Sequence, residues 1–163
     1  MNIIVRRMFR KNDPIASALA ALERGEFAVA ESALGELLER SGSPVERAFM
    51  LNKRGVARIG LDRRELAQAD FAAALESVGG YAPALTNLGN LLLEDGDAKG
   101  AIAHYERAIA NDREYALAHL NLGVAYKRLG RIADSVRELR EAQRLEQRSR
   151  SSPSTFWRRA RPR

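Results

Sequence analysis

Residues 81–108 read YAPALTNLGNLLLEDGDAKGAIAHYERA, and residues 115–142 read YALAHLNLGVAYKRLGRIADSVRELREA. Tyr81, Ala82, Ala84, Asn87, Leu88, Gly89, Gly96 and Ala108 return as Tyr115, Ala116, Ala118, Asn121, Leu122, Gly123, Gly130 and Ala142, each 34 residues on. Leu92 with Tyr126, Ile102 with Val136, and Tyr105 with Leu139 are near matches at the same offset. A fixed period of this length marks a stacked array, in which no single unit can bury its own apolar face.

Each copy predicts two helices. Leu85, Leu88 and Leu92 form an i, i+3, i+7 stripe that His119, Leu122 and Tyr126 repeat. Ala101, Tyr105, Ala108 and Ile109 share a face of the second helix. Gly96 and Gly130 fall between the helices, where a tight turn needs positive φ. Gly89 and Gly123 fall inside a helix, where glycine costs about 1 kcal/mol against alanine. That cost predicts a companion helix so close that any side chain would clash.

At these residues the stretch resembles the tetratricopeptide repeat. The resemblance is carried by Asn87-Leu88-Gly89-Asn90, Gly96-Asp97, Ala101-Ile102, Tyr105 and Ala108, and again by Asn121-Leu122-Gly123, Tyr126, Gly130 and Ala142. His119, Ser135, Gln143 and Arg113 depart from the family pattern. The resemblance implies an all-α fold: an α-solenoid of antiparallel helix pairs in a right-handed superhelix, whose first helices line a concave groove.

Earlier residues fit the same period more loosely. Gly55, Ala67, Phe71, Ala74 and Leu75 precede Gly89, Ala101, Tyr105, Ala108 and Ile109 by 34. Ser43 and Glu46 form a capping box with Pro44 at the first helical position. Asp62 and Glu65 suggest a second box, and Gly60 stands two places early for the inter-helix glycine. Asp13-Pro14 opens a leading, degenerate unit through the same cap logic. The expected helices are 14–23, 27–40, 45–59, 63–77, 82–94, 98–110, 116–129 and 132–147. Their repeat units are about 13–44, 48–81, 82–115 and 116–147, within one domain at 13–147.

The net charge of +6 is unevenly placed. Residues 1–12 contribute +4 and residues 147–163 contribute +6, leaving −4 for the body. The ends therefore read as a basic N-terminal arm at 1–12 and an Arg/Ser-rich tail at 148–163, both flexible. There is no cysteine, hence no disulfide framework, and the expected compartment is the cytoplasm. No apolar run approaches the roughly 20 residues of a membrane helix. Peripheral contact with a membrane surface through the arms is the alternative.

Chemistry is thinly represented. His104 reads as a solvated residue and His119 as a packing or groove-edge residue. Neither has a second ligand at metal spacing, and no nucleophile motif or phosphate loop is present. Glu94, Asp95 and Asp97 read as a solvated cap. No enzyme activity, metal or cofactor is expected.

The resemblance places Asn52, Lys53, Asn87, Asn90, Asn121, Lys127 and Arg128 on the groove as peptide-binding residues. Phe49, Val56, Thr86, Leu93, Leu117, Leu120 and Val124 join them there. Asparagine is a poor helix former, so its return at matching positions invites a binding reason. An amide both donates and accepts, and so can hold the backbone of an extended chain. A carboxylate clamp of the kind some relatives use is disfavoured, because Leu117 and Asn121 stand where basic residues would be needed.

The expected function is a non-catalytic adaptor that binds a protein or peptide segment. One rival is nucleic-acid or anionic-surface binding through the basic ends, which salt would weaken steeply and removal of residues 147–163 would abolish. Another is a homo-oligomer formed through the array end, where the last stripe has no covering helix. Phe156 and Trp157, a bulky pair in a polar tail, are expected to dock on such a face.

Overall fold

A computed structural model describes residues 13–151. Among them are eight helices and no strand: α1 (Pro14–Glu23), α2 (Phe27–Arg40), α3 (Pro44–Gly60), α4 (Arg64–Ser77), α5 (Ala82–Glu94), α6 (Ala98–Asn111), α7 (Ala116–Arg128) and α8 (Ile132–Ser151). The basic residues of 1–12 and the Phe156–Trp157 pair lie outside the described residues. No described helix is long and apolar enough to cross a membrane. The chain divides into two compact units, one ending at Ala84 and the other beginning at Leu85. Sequence reasoning expected one domain here.

In the first unit the helix starts follow their caps. Asp13 accepts a hydrogen bond from the Ile15 amide at 3.0 Å, with Pro14 at the first helical position. Ser43 Oγ accepts from the Glu46 amide at 3.4 Å. The α3–α4 turn departs from expectation. Asp62, not a glycine, takes the left-handed conformation there, at φ 58°. It stands 34 residues before Gly96 (φ 86°), which itself stands 34 before Gly130 (φ 72°). Asp62 is therefore not a cap, and α4 begins after Arg63 without any side-chain cap. Aspartate is among the few non-glycine residues that visit this region. Gly60 has another use: a Cβ there would lie 2.5 Å from the Phe27 ring. Ala21, Ala30 and Ala57 meet in the core with Leu22 and Phe27 against them.

Glycines inside the first helices explain the pairing. A Cβ on Gly55 would sit 2.5 Å from the Phe71 ring. In the second unit a Cβ on Gly89 would sit 2.5 Å from the Tyr105 ring, and one on Gly123 would sit 2.8 Å from Leu139. The three contacts repeat at 34 residues on both sides, as the sequence predicted. Leu93, Ala101, Ile102, Tyr105, Leu122, Ala125 and Tyr126 form the second unit's core.

The last helix runs to Ser151, four residues past its expected end. Arg148, assigned to a flexible tail, is helical and bonds Glu114 at 3.2 Å. Arg150 lies one turn after Glu146 at 3.9 Å. Acid-then-base spacing of this kind supports a helix end, and arginine there complements the carbonyl end of the dipole.

Candidate functional site

The second unit collects most of the predicted groove residues. Asn90 on α5 and Asn121 on α7 are joined: Asn121 Nδ2 donates to Asn90 Oδ1 at 2.7 Å. The same Oδ1 accepts from the Tyr105 hydroxyl at 2.8 Å. Tyr105 is fully buried and wedged against Gly89. One carbonyl thus ties three helices, α5, α6 and α7. The arrangement leaves Asn90 Nδ2, a donor, and Asn121 Oδ1, an acceptor, without partners among the described residues. Both asparagines are partly exposed. A peptide unit offers the complementary acceptor and donor.

Around the amides the exposed face of α7 is apolar. Leu117, Leu120 and Val124 are all exposed, at i, i+3 and i+7. Thr86, the residue matching Leu120 one repeat earlier, is fully buried. Lys127 is exposed at the end of this stripe. Arg128 has a structural duty the sequence did not predict. Its Nη1 donates to the Leu93 carbonyl at 2.6 Å and so closes the last turn of α5. Asn87 is partly exposed on α5 and already engaged within the protein.

The first unit holds the other two predicted residues. Asn52 is 3% exposed and already bonded, so it offers a ligand almost no surface. Lys53 lies over the Phe49 ring, 5.6 Å from its centre. Thr86 and Leu93 were expected on the groove and are instead core residues. Position explains the burial: these side chains fall on helix flanks that neighbouring helices cover.

A seam of polar contacts between paired helices escaped sequence reasoning. Asp70 on α4 accepts from Arg54 Nε (3.0 Å) and Nη2 (2.7 Å), and pairs with Arg58 at 2.9 Å. Arg58 also pairs with Glu31 of α2 at 2.9 Å, and Glu31 with Arg63 at 2.6 Å. Asp70 holds the Arg54 guanidinium above its ordinary pKa. The matching residue in the last repeat, Glu138, faces His119 Nδ1 at 2.9 Å. His119 Nε2 faces the Arg113 carbonyl at 3.2 Å. In the middle repeat this position is His104. It is half-buried, not solvated as expected, and its Nδ1 is enclosed without a partner. Burial, then the nearby Arg107, pushes its pKa down. The readable signal was an acid inside the apolar stripe Ala67, Phe71, Ala74, with a base on the preceding helix.

Among the described residues no three His, Cys, Asp or Glu side chains group as metal ligands. The titration of most consequence is Tyr105, whose hydroxyl burial pushes up to about 12. In the unfolded chain a tyrosine ionises near pH 10. Between about pH 10 and 12 the unfolded state therefore loses a proton that the folded state keeps, and stability falls as pH rises. Burial raises Tyr115 and Tyr126 in the same direction. Tyr105→Phe is expected to flatten the loss of urea midpoint between pH 9 and 11.5, and an unchanged slope would refute this.

Three family models match the chain. One, described as TPR repeat, covers residues 89–130, and two, described as Tetratricopeptide repeat, cover 15–57 and 116–148. Among curated proteins no sequence matches. Similar solved structures include a crystal structure of MamA, 20% identical over 85% of this chain and 80% of that one, with a TM-score of 0.66. MamA from Desulfovibrio magneticus RS-1, from residue 41 to its end, is 20% identical over 88% and 80%, with a TM-score of 0.63. BtubC (BKLC) from P. vanneervenii is 21% identical over 98% and 73%, with a TM-score of 0.66. These likenesses are in fold.

Proposed function

Because the chain belongs to the tetratricopeptide repeat family, an α-solenoid of antiparallel helix pairs, we propose that it is a non-catalytic adaptor that holds an extended protein segment on the α5–α7 face. The family and fold support a protein–protein interaction scaffold in general. The observation that carries the finer reading is the Asn90–Asn121 amide pair. Its shared hydrogen bond fixes both side chains and leaves one donor and one acceptor without partners among the described residues. Fixing them beforehand lowers the entropy cost of gripping a ligand. Leu117, Leu120 and Val124 supply apolar area beside the amides. Lys127 adds a positive charge at one end.

Selection of a displayed random peptide library on the immobilised protein tests this. Enriched peptides are expected to bind about 5- to 150-fold more weakly to Asn90→Ala/Asn121→Ala, since each of the two lost hydrogen bonds removes about 0.5–1.5 kcal/mol. Enrichment that ignores both substitutions, or no enrichment at all, would overturn the reading. The same exposed stripe on α7 favours a second reading, pairing with another copy of the chain. Sedimentation equilibrium across concentrations distinguishes it, because a groove that binds only foreign segments leaves the mass constant.

A further inference from the structure

The second unit carries another concavity, away from the asparagine pair. A cleft of about 650 Å³ lies between the end of α6 and the exposed side of α8. Ile109, Ala133 and Val136 give it apolar lining, and four arginines (Arg113, Arg137, Arg140 and Arg144) face two glutamates. Two arginines are already satisfied. Arg137 pairs with Asp134 and Glu138, and Arg144 with Glu141. Arg113 and Arg140 are exposed and have no acid partner among the described residues. The Arg113 main chain is nonetheless held in place, because its carbonyl bonds the His119 ring at 3.2 Å. The cleft therefore has apolar surface, two unpaired guanidinium groups and a fixed backbone.

We propose that this cleft binds an acidic segment of a protein partner, in which apolar and carboxylate side chains alternate. Guanidinium groups match carboxylates through paired, parallel hydrogen bonds. The segment's apolar side chains would cover Ile109, Ala133 and Val136, and its carboxylates would meet Arg113 and Arg140 on the same lining. Glu138 and Glu141 weigh against a polyanion such as nucleic acid, whose closely spaced charges would meet them as well. Individual carboxylates can avoid them. The surface is independent of the asparagine groove, so one chain would hold two segments.

The test uses the full chain, isotopically labelled for amide NMR, and a blocked hexapeptide alternating leucine and glutamate. Saturable shifts are expected at Ala133, Val136 and Arg140. The glutamine version of the peptide should bind at least about tenfold more weakly. Arg113→Gln/Arg140→Gln should cause a similar loss, while Asn90→Ala/Asn121→Ala should leave binding unchanged, which separates this surface from the groove. Both arginines are exposed, so the variant keeps its fold, and its helical circular dichroism checks that. Equal binding of the glutamine peptide, no shifts at the cleft, insensitivity to the arginine pair, or stronger binding of a single-stranded oligonucleotide would each overturn the proposal.

Discussion

Replacing Asp70 by alanine is expected to destabilise the first unit by about 2–4 kcal/mol in urea denaturation followed by circular dichroism. Asp70 is 3% exposed and meets two guanidinium groups through three contacts of 2.7 to 3.0 Å. Breaking a fully buried pair by removing one partner costs about 3–5 kcal/mol, because the other charge stays behind without compensation. Arg54 keeps some access to water, which places the expected loss below that range. Arg58 retains Glu31, which limits the damage further. The loss should persist at high salt, since enclosed pairs are screened little. Removing the exposed Arg24–Glu26 pair should change stability far less, although its 2.8 Å contact is as short. Asp70→Leu combined with Arg54→Met should recover much of the loss, because apolar replacements of similar volume avoid the desolvation cost. A fall of less than about 1 kcal/mol for Asp70→Ala would show that the pair contributes little.

Much of the fold was legible because local chemistry and repeat spacing agreed. Asp13, Ser43 and Asp97 each cap the helix that their sequence position announced. The interior glycines were read correctly as close-approach sites, since glycine there has a propensity cost that packing must offset. At the α3–α4 turn the early place of Gly60 signalled a different turn, but Asp62 was misread as a cap because aspartate is more often a cap than a left-handed residue. Asp62 turns left at φ 58° and frees Gly60 to admit the Phe27 ring. The end of α8 was misread from composition. A run of serine and arginine looks disordered until Glu114 and Glu146 are seen to pair with Arg148 and Arg150.

The candidate site was legible by helix but not by flank. Asn90 and Asn121 came from a family pattern, and their mutual bond depends on how α5 and α7 cross, which no single helix encodes. Asn52 lies on α3 one place before the residue that matches Asn87, and that one-place difference is 100° around a helix, enough to move it into the core. Arg128 was placed on the groove by the family pattern, which does not show which carbonyls lack donors. The end of α5 has such carbonyls, and Arg128 reaches one. The α6–α8 cleft was invisible in one dimension, since Arg113 and Arg140 are far apart in sequence and ordinary by type.

Gly89 joins fold and site, and substituting it should affect both. An alanine Cβ would lie 2.5, 2.9 and 3.0 Å from three Tyr105 ring atoms. Tyr105 cannot swing aside freely, because it is fully buried and its hydroxyl is bound to Asn90. Overpacking of this kind costs about 1–3 kcal/mol, against the roughly 1 kcal/mol that alanine gains in helix propensity. Gly89→Ala should therefore lower stability by up to about 2 kcal/mol, and the branched Gly89→Val by about 3 kcal/mol or more. Gly42→Ala, with nothing within 4 Å of the added Cβ, should stay within about 0.5 kcal/mol of the parent. A double-mutant cycle with Tyr105→Ala gives the decisive number. The single Tyr105→Ala is expected to cost about 3–5 kcal/mol, and adding Gly89→Ala should then cost nothing or be favourable. Additive losses would mean that the ring and the glycine do not compete for the same space. Since Tyr105 also positions Asn90, Gly89→Ala should weaken any peptide selected on the α5–α7 face, although residue 89 does not touch it. Adjacent repeats then bind through side chains whose positions are set by a methyl group that is absent.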